Sequence, residues 1–296
     1  MNLTQISVMA AAVVAVVAIP AEFIGLRAAT VAVTPVADGI LWALDPALTR
    51  GSEVTLVSGT TGANVGNTRS RAVVRFDLSA AIPPGAVVRS ATLTVTVVKV
   101  PQGGAPSTFE LRRVLQPWDE VAVSWNQRSA TDAWSVPGAA AGTDFSATVS
   151  ATAPVNGLAS DVFASNAGVV ADVQAWVNSP GTNFGWMLLS QAEQTGKTAR
   201  HFGAREALDS SVPVLNIAFD PPATPPTLTV LPLNNAQLRF SFSAEANRPY
   251  VVESRAVFGS GAWGVAQSLA APPSAVVLTV TNPSAGAAKF FRVRTP

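Results

Sequence analysis

The segment WDEVAVSWN brings Trp118, Glu120, Trp125 and Asn126 within nine residues. An indole that goes inside buries about 150–250 Å², and a carboxylate between two of them finds a loop backbone to hydrogen-bond. The alternative use of the same residues is an aromatic platform for a sugar ring. Trp134, in the loop SATDAWSVPG, belongs to no alternating run and is the stronger candidate for an exposed ring; Trp42 is second. Arg112 and Arg113 straddle one strand, so one of them faces outward, and Arg128 follows in the next loop. Their guanidinium forks suit carboxylate or sulfate groups. Buried loop-anchoring tryptophans and solvated arginines are the competing reading of the same set.

Catalytic equipment is sparse. The chain has no Cys and one His, His201, so thiolate chemistry and multi-histidine metal centres are excluded. His201 sits in a strand with no nucleophile elbow beside it, and reads as a lone surface or internally satisfied histidine. No G-x-S-x-G, H-E-x-x-H or phosphate-cradling glycine loop occurs, and GTTGANVG lacks the Lys and helix that a phosphate site needs. The 18 carboxylates would always place some pair at glycosidase spacing, so their number argues nothing. The only Tyr, Tyr250, lies far along the chain. These residues predict a non-catalytic protein. Lys plus Arg is 19 against 18 for Asp plus Glu, so the overall balance gives no field to collect nucleic acid.

The elements that would carry these residues are strands. Ala72, Val74, Phe76 and Leu78 share one face of RAVVRFDLS, with Arg71, Arg75 and Asp77 on the other, the period of a half-buried strand. In SATLTVTVVKV, Ala91, Leu93, Val95 and Val97 alternate with Thr92, Thr94 and Thr96. Pro83, Pro84 and Gly85 force a turn between the two. Further strands are predicted at VTLVSG, STFELRRVL, FGWMLLS, ARHFGARE and VPVLNIAF. In ARHFGARE, adjacent Arg205 and Glu206 would point to opposite faces. One helix is predicted, with Val169, Val173, Trp176 and Val177 on a face and Asn166 as its cap. The pattern predicts an all-β chain, an antiparallel sandwich of jelly-roll type over residues 30–220.

Residues 221–226 form a Pro-rich linker, and 227–296 hold enough alternating runs for a small sandwich of immunoglobulin or fibronectin type. At the other end, residues 1–29 contain an apolar run, Ile6 to Ile19, of signal-peptide length and too short for the roughly 20 residues of a spanning helix. No stable membrane span is expected, and export is.

The ordered series RAVVRFDLSAAIPPGAVVRSATLTV, WDEVAVSWN, DVQAWVN, NFGWMLL and HFGAREALDSSVPVLNI resembles the DNRLRE-domain family across roughly residues 35–220. The closing element departs from the family in having Ala204 where a Ser is usual. The resemblance implies a secreted β-jelly roll, with some members binding acidic polysaccharide. It singles out Trp118, Glu120, Trp125, Asn126, Asp172, Trp176, Arg205 and Glu206 as a structural signature. Asp38 resembles the family's early Asp and is either a turn former or a ligand of a structural Ca²⁺. The expectation is an extracellular or cell-surface binder of polysaccharide or cell-surface glycan. The alternative is a homo-polymer, a filament or surface layer built by strand addition from TVAVTPV at 30–36.

Overall fold

The computed structural model describes residues 15–17, 28–222, 225–234, 237–256, 260–283 and 290–295. The apolar run expected as an export signal lies mostly outside the described residues. The chain divides into two compact units: Ala28–Pro222, and Met1–Arg27 together with Ala223–Pro296.

The chain is all-β, and every pairing between its named strands is antiparallel. The first strand, β1 (Ala15–Val17), belongs to the second unit. The larger unit contains β2 (Ala29–Val33), β3 (Ala37–Trp42), β4 (Thr55–Thr60), β5 (Arg69–Arg75), β6 (Val87–Lys99) and β7 (Thr108–Arg113). These are followed by β8 (Ala151–Pro154), β9 (Ser160–Phe163), helix α1 (Ala167–Asn178), β10 (Trp186–Ser190), β11 (Arg200–Gly203) and β12 (Val214–Asp220). The strands run β2-β12-β6-β11-β4-β5-β10-β7-β8, with β3 added on β5 and β9 on β6. This sheet folds over on itself as a sandwich.

The alternation in β6 is what closes the sandwich. Ala91, Leu93, Val95 and Val97 are all buried in one core with Phe76, Phe109 and Trp186, and with Phe202 of the neighbouring β11. Helix α1 shuts one side: Val169, Val173, Trp176 and Val177 enter the same core. Asn166 caps it by accepting from the N–H groups of Gly168 and Val169, worth about 1 kcal/mol. Trp176 meets Trp186 edge to face at 4.5 Å, which adds about 0.5–1.5 kcal/mol beyond the area buried.

One face departs from the sequence expectation. The far side of β5 is covered, since Val73 is fully buried together with Leu41, Met187 and Leu189. The cover is the long segment between β7 and β8, which lays Trp118, Val123, Trp125, Trp134 and Phe145 on that face as a second core. Arg71 and Arg75 on this face lie over the rings of Trp125 and Trp118, at 5.8 and 5.3 Å. Arg71 also forks to Glu193 and donates to the carbonyls of Gly138 and Ala139, tying the cover down. At Gly138 the backbone has φ +87°, and a Cβ would stand 2.5 Å from the Trp125 ring. Gly138→Ala therefore lowers stability by about 2 kcal/mol, through left-handed strain and overpacking, read as a shift of the urea midpoint. An unchanged midpoint would mean that this cover is loosely packed.

The smaller unit holds β1, β13 (Thr229–Asn234), β14 (Gln237–Ala244), β15 (Tyr250–Arg255), β16 (Gly264–Leu269), β17 (Val276–Pro283) and β18 (Phe290–Arg294). One sheet is ordered β1-β17-β14-β13 and the other β16-β15-β18. Phe240, Phe242, Tyr250, Val252, Leu278 and Val280 form its core. It is a second, small sandwich.

Candidate functional site

Strand β3 delivers Asp38, buried to 1% exposure, beneath the turn that follows β11. Its Oδ2 accepts the Arg205 backbone N–H at 2.7 Å, and its own N–H donates to Glu120 Oε1 at 2.9 Å. The Arg205 side chain bonds both Glu120 oxygens, at 3.1 and 3.2 Å, and pairs with Glu206. Arg205 and Glu206 are thus not on opposite faces of a strand: β11 stops at Gly203, and the turn aims both residues at one cluster. Burial, reinforced by the charges of Glu206 and Glu120, raises the Asp38 carboxyl to about 7 against the stabilising Arg205 N–H. Asp38 was a candidate calcium ligand. The Arg205 guanidinium meets Glu120 and Glu206 beside it, and no group of three or more His, Cys, Asp or Glu placed to hold a metal occurs among the described residues.

The other signature residues anchor the fold. Asp172 Oδ2 accepts from Trp186 Nε1 at 2.8 Å and Ser150 Oγ at 2.5 Å, with Arg113 at 3.6 Å. Trp118 Nε1 donates to the Phe184 carbonyl, and the Asn126 N–H to that of Pro46.

Trp134 is not a platform: it is 4% exposed, and its Nε1 donates to the Ser124 carbonyl at 3.0 Å. Arg112 is engaged by Glu110 and the carbonyls of Ser146 and Ala147. Arg128 reaches the Pro117 carbonyl and Asp132. These residues hold the cover segment and leave little of themselves to a ligand.

Trp42 is different. At the end of β3 it lines an open pocket of about 180 Å³ with Ile40, Arg50, Val57, Thr61, Ser70 and His201. The Arg50 guanidinium stands 4.6 Å from the Trp42 ring centroid. Thr61 and His201 are shared with a second hollow of about 440 Å³, which Lys99, Gln102, Asn64 and Lys197 also line. Pairing places His201 opposite Val57 on one side and Lys99 on the other, so one cross-strand row carries both basic residues into the groove. Burial and the Lys99 charge hold the His201 imidazole below its usual range, so it is neutral at pH 7. The positive charge comes from Lys99 and Lys197, together with Arg50, which Glu53 pairs at 2.9 Å from outside the lining; no carboxylate lines either hollow. Of these residues the sequence reading singled out only Trp42 as a ligand contact. One signal was present: the chain has three Lys, and two of them meet here.

No known protein family matches the chain, and no curated protein is similar to it. Among the described residues no helix is long and apolar enough to cross a membrane.

Proposed function

We propose that this is an extracellular, non-catalytic protein of the DNRLRE-domain type whose larger unit binds an acidic polysaccharide in the groove running from Trp42 to Lys197. The observation that carries this reading is the groove's lining: an indole flanked by Arg50, then His201, Lys99 and Lys197, with no acidic side chain among them. The face of the indole not taken by Arg50 suits the apolar face of a sugar, and the cations suit its carboxylates. The asparagine, glutamine and threonine side chains between them suit its hydroxyls.

Polymerisation by strand donation has weaker support. Residues 29–33 already pair with β12 in their own unit, so a donor taken from them would have to leave a formed ladder.

Calorimetric titration of the full chain with polygalacturonate, against neutral dextran, tests the proposal. Binding to the first polymer alone is expected, weakened at least tenfold by Trp42→Ala and by the Lys99→Gln/Lys197→Gln double variant. Equal affinity for both polymers, no binding, or affinity unchanged in these variants would overturn it.

A further inference from the structure

The near-neutral total conceals a separation of charge. Residues 223–296 hold five Arg and one Lys against two Glu, a formal side-chain charge of +4. Residues 28–222 hold twelve basic and fifteen acidic side chains, a charge of −3. Much of the excess is concentrated on one sheet. Antiparallel register sets Val251 opposite Arg294, Glu253 opposite Arg292 and Arg255 opposite Phe290 on β15 and β18. Glu253, Arg255, Arg292 and Arg294 therefore share the face turned away from Tyr250 and Val252, which enter the core. Trp263, just before β16, joins them: the guanidinium of Arg255 lies 4.4 Å from its ring centroid and that of Arg292 4.5 Å.

Among the described residues of this face one carboxylate, Glu253, organises two of the cations. Glu253 is buried, and it receives Arg292 through Nε at 2.6 Å and Arg294 through Nε at 3.0 Å. The Arg292 hydrogen bonds hold its carboxyl below the usual range, so the clamp is charged at neutral pH. Gripping an arginine by Nε orients the guanidinium and leaves its paired Nη groups directed elsewhere. Arg292 and Arg294 keep 47% and 45% of their side chains exposed, with one Nη of Arg294 reaching the Thr295 carbonyl at 3.5 Å. The result is two arginines oriented by one carboxylate, with Arg292 and Arg255 packed against one indole. Pre-oriented forks of this kind match the oxygens of sulfate or carboxylate groups, and less of their side-chain entropy is lost on binding.

We infer that the Arg255–Trp263–Arg292–Arg294 face of the smaller unit is a second binding site, for the sulfate or carboxylate groups of an anionic polysaccharide. The site lies in a different unit from the Trp42 groove and stands independently of it. Charge complementarity selects the ligand: this unit is the basic one, and its exposed arginines repeat along a strand as the charges of such a polymer repeat along a chain.

The test titrates the full chain with dextran sulfate, with neutral dextran as control. Arg292→Gln/Arg294→Gln is expected to weaken binding at least tenfold, whereas Trp42→Ala leaves this phase of the titration in place. Glu253→Gln, which keeps one acceptor but sets an amide donor against the other arginine's Nε–H, is expected to weaken binding severalfold by releasing one oriented fork while every arginine stays in place. It keeps the proposal open to refutation if the double variant fails to fold. Binding unaffected by the double variant, lost only with the groove variants, or equally strong for neutral dextran would overturn the proposal. So would self-association of the chain that the double variant abolishes in the absence of polymer, which would assign the face to a second copy.

Discussion

Replacing Arg200 with Met lowers the unfolding free energy by about 3 kcal/mol, and replacing it with Lys recovers less than half of that. Arg200 is fully buried on β11, 0% exposed, and among the described residues no carboxylate forms an ion pair with it. Desolvation pulls its pKa down, opposed by the charge of Asp161, whose own pKa is raised by burial. What compensates the cation is backbone. Nη1 donates to the carbonyls of Thr198 and Ala199 at 3.0 and 3.1 Å, and Nη2 to that of Ala105 at 2.7 Å. A longer contact reaches the Asn156 carbonyl at 3.4 Å. One planar fork thus ties together the segments leading into β7 and β11 and the segment following β8.

Two effects oppose each other in the methionine variant. Removing a buried charge recovers its desolvation cost, which taken alone would stabilise the protein. Leaving three closely bonded carbonyls without a donor costs about 1–3 kcal/mol each, less whatever water recovers. Because the donors serve separate loops, the second effect wins. Lysine has no planar fork and cannot reach both sides at once, hence its partial recovery. Urea unfolding at pH 7 measures the difference, and a loss below 1 kcal/mol for the methionine variant would show that these loops hold without it.

Arg200 illustrates where a single sequence stops being readable. The cores of β5, β6 and α1 follow from period two and period 3.6, because burial on one face leaves a repeating mark. The cover between β7 and β8 leaves none. It folds by anchoring single side chains such as Trp118 and Trp134, whose indole N–H groups find carbonyls 66 and 10 residues away. Its aperiodicity reads as exposure when it means irregular packing, which is why Trp134 looked like an outer platform. It also hid the far face of β5, where Val73 between Arg71 and Arg75 resembles an ordinary solvated side.

The groove was illegible for another reason. Lys99 and His201 become neighbours only through the pairing of β6 with β11. Trp42 and Arg50 join them from a third and fourth segment, and no short motif records such a meeting. The Asp38, Glu120, Arg205 and Glu206 cluster lay between these cases. All four residues stood out in the sequence, but their convergence needed the register of β3 and the turn after β11.

That cluster makes the protein's stability depend on pH in an unusual direction. A carboxyl with a native pKa of about 7, against about 3.9 in the unfolded chain, binds its proton more tightly when folded. Its contribution is fully present below about pH 4 and is lost as pH rises through 7, by at most about 1.4 kcal/mol per unit. Most paired carboxylates act in the opposite sense, among them Asp77, whose pKa is lowered by the Ser79 N–H. The wild-type curve therefore mixes both effects, and the informative quantity is the difference between wild type and Asp38→Asn at each pH. Asparagine keeps an acceptor for the Arg205 N–H and cannot ionise. Its amide also supplies a donor beside Glu206, whose Oε2 is buried without a hydrogen-bond partner. The variant is expected to match wild type near pH 4.5 and to exceed it by about 3–4 kcal/mol at pH 8.5. Urea unfolding at half-unit intervals across that range follows the divergence. A difference that stays flat, or one that favours wild type increasingly at high pH, would show that Arg205 keeps Asp38 ionised throughout and that the cluster is an ordinary ion-pair network.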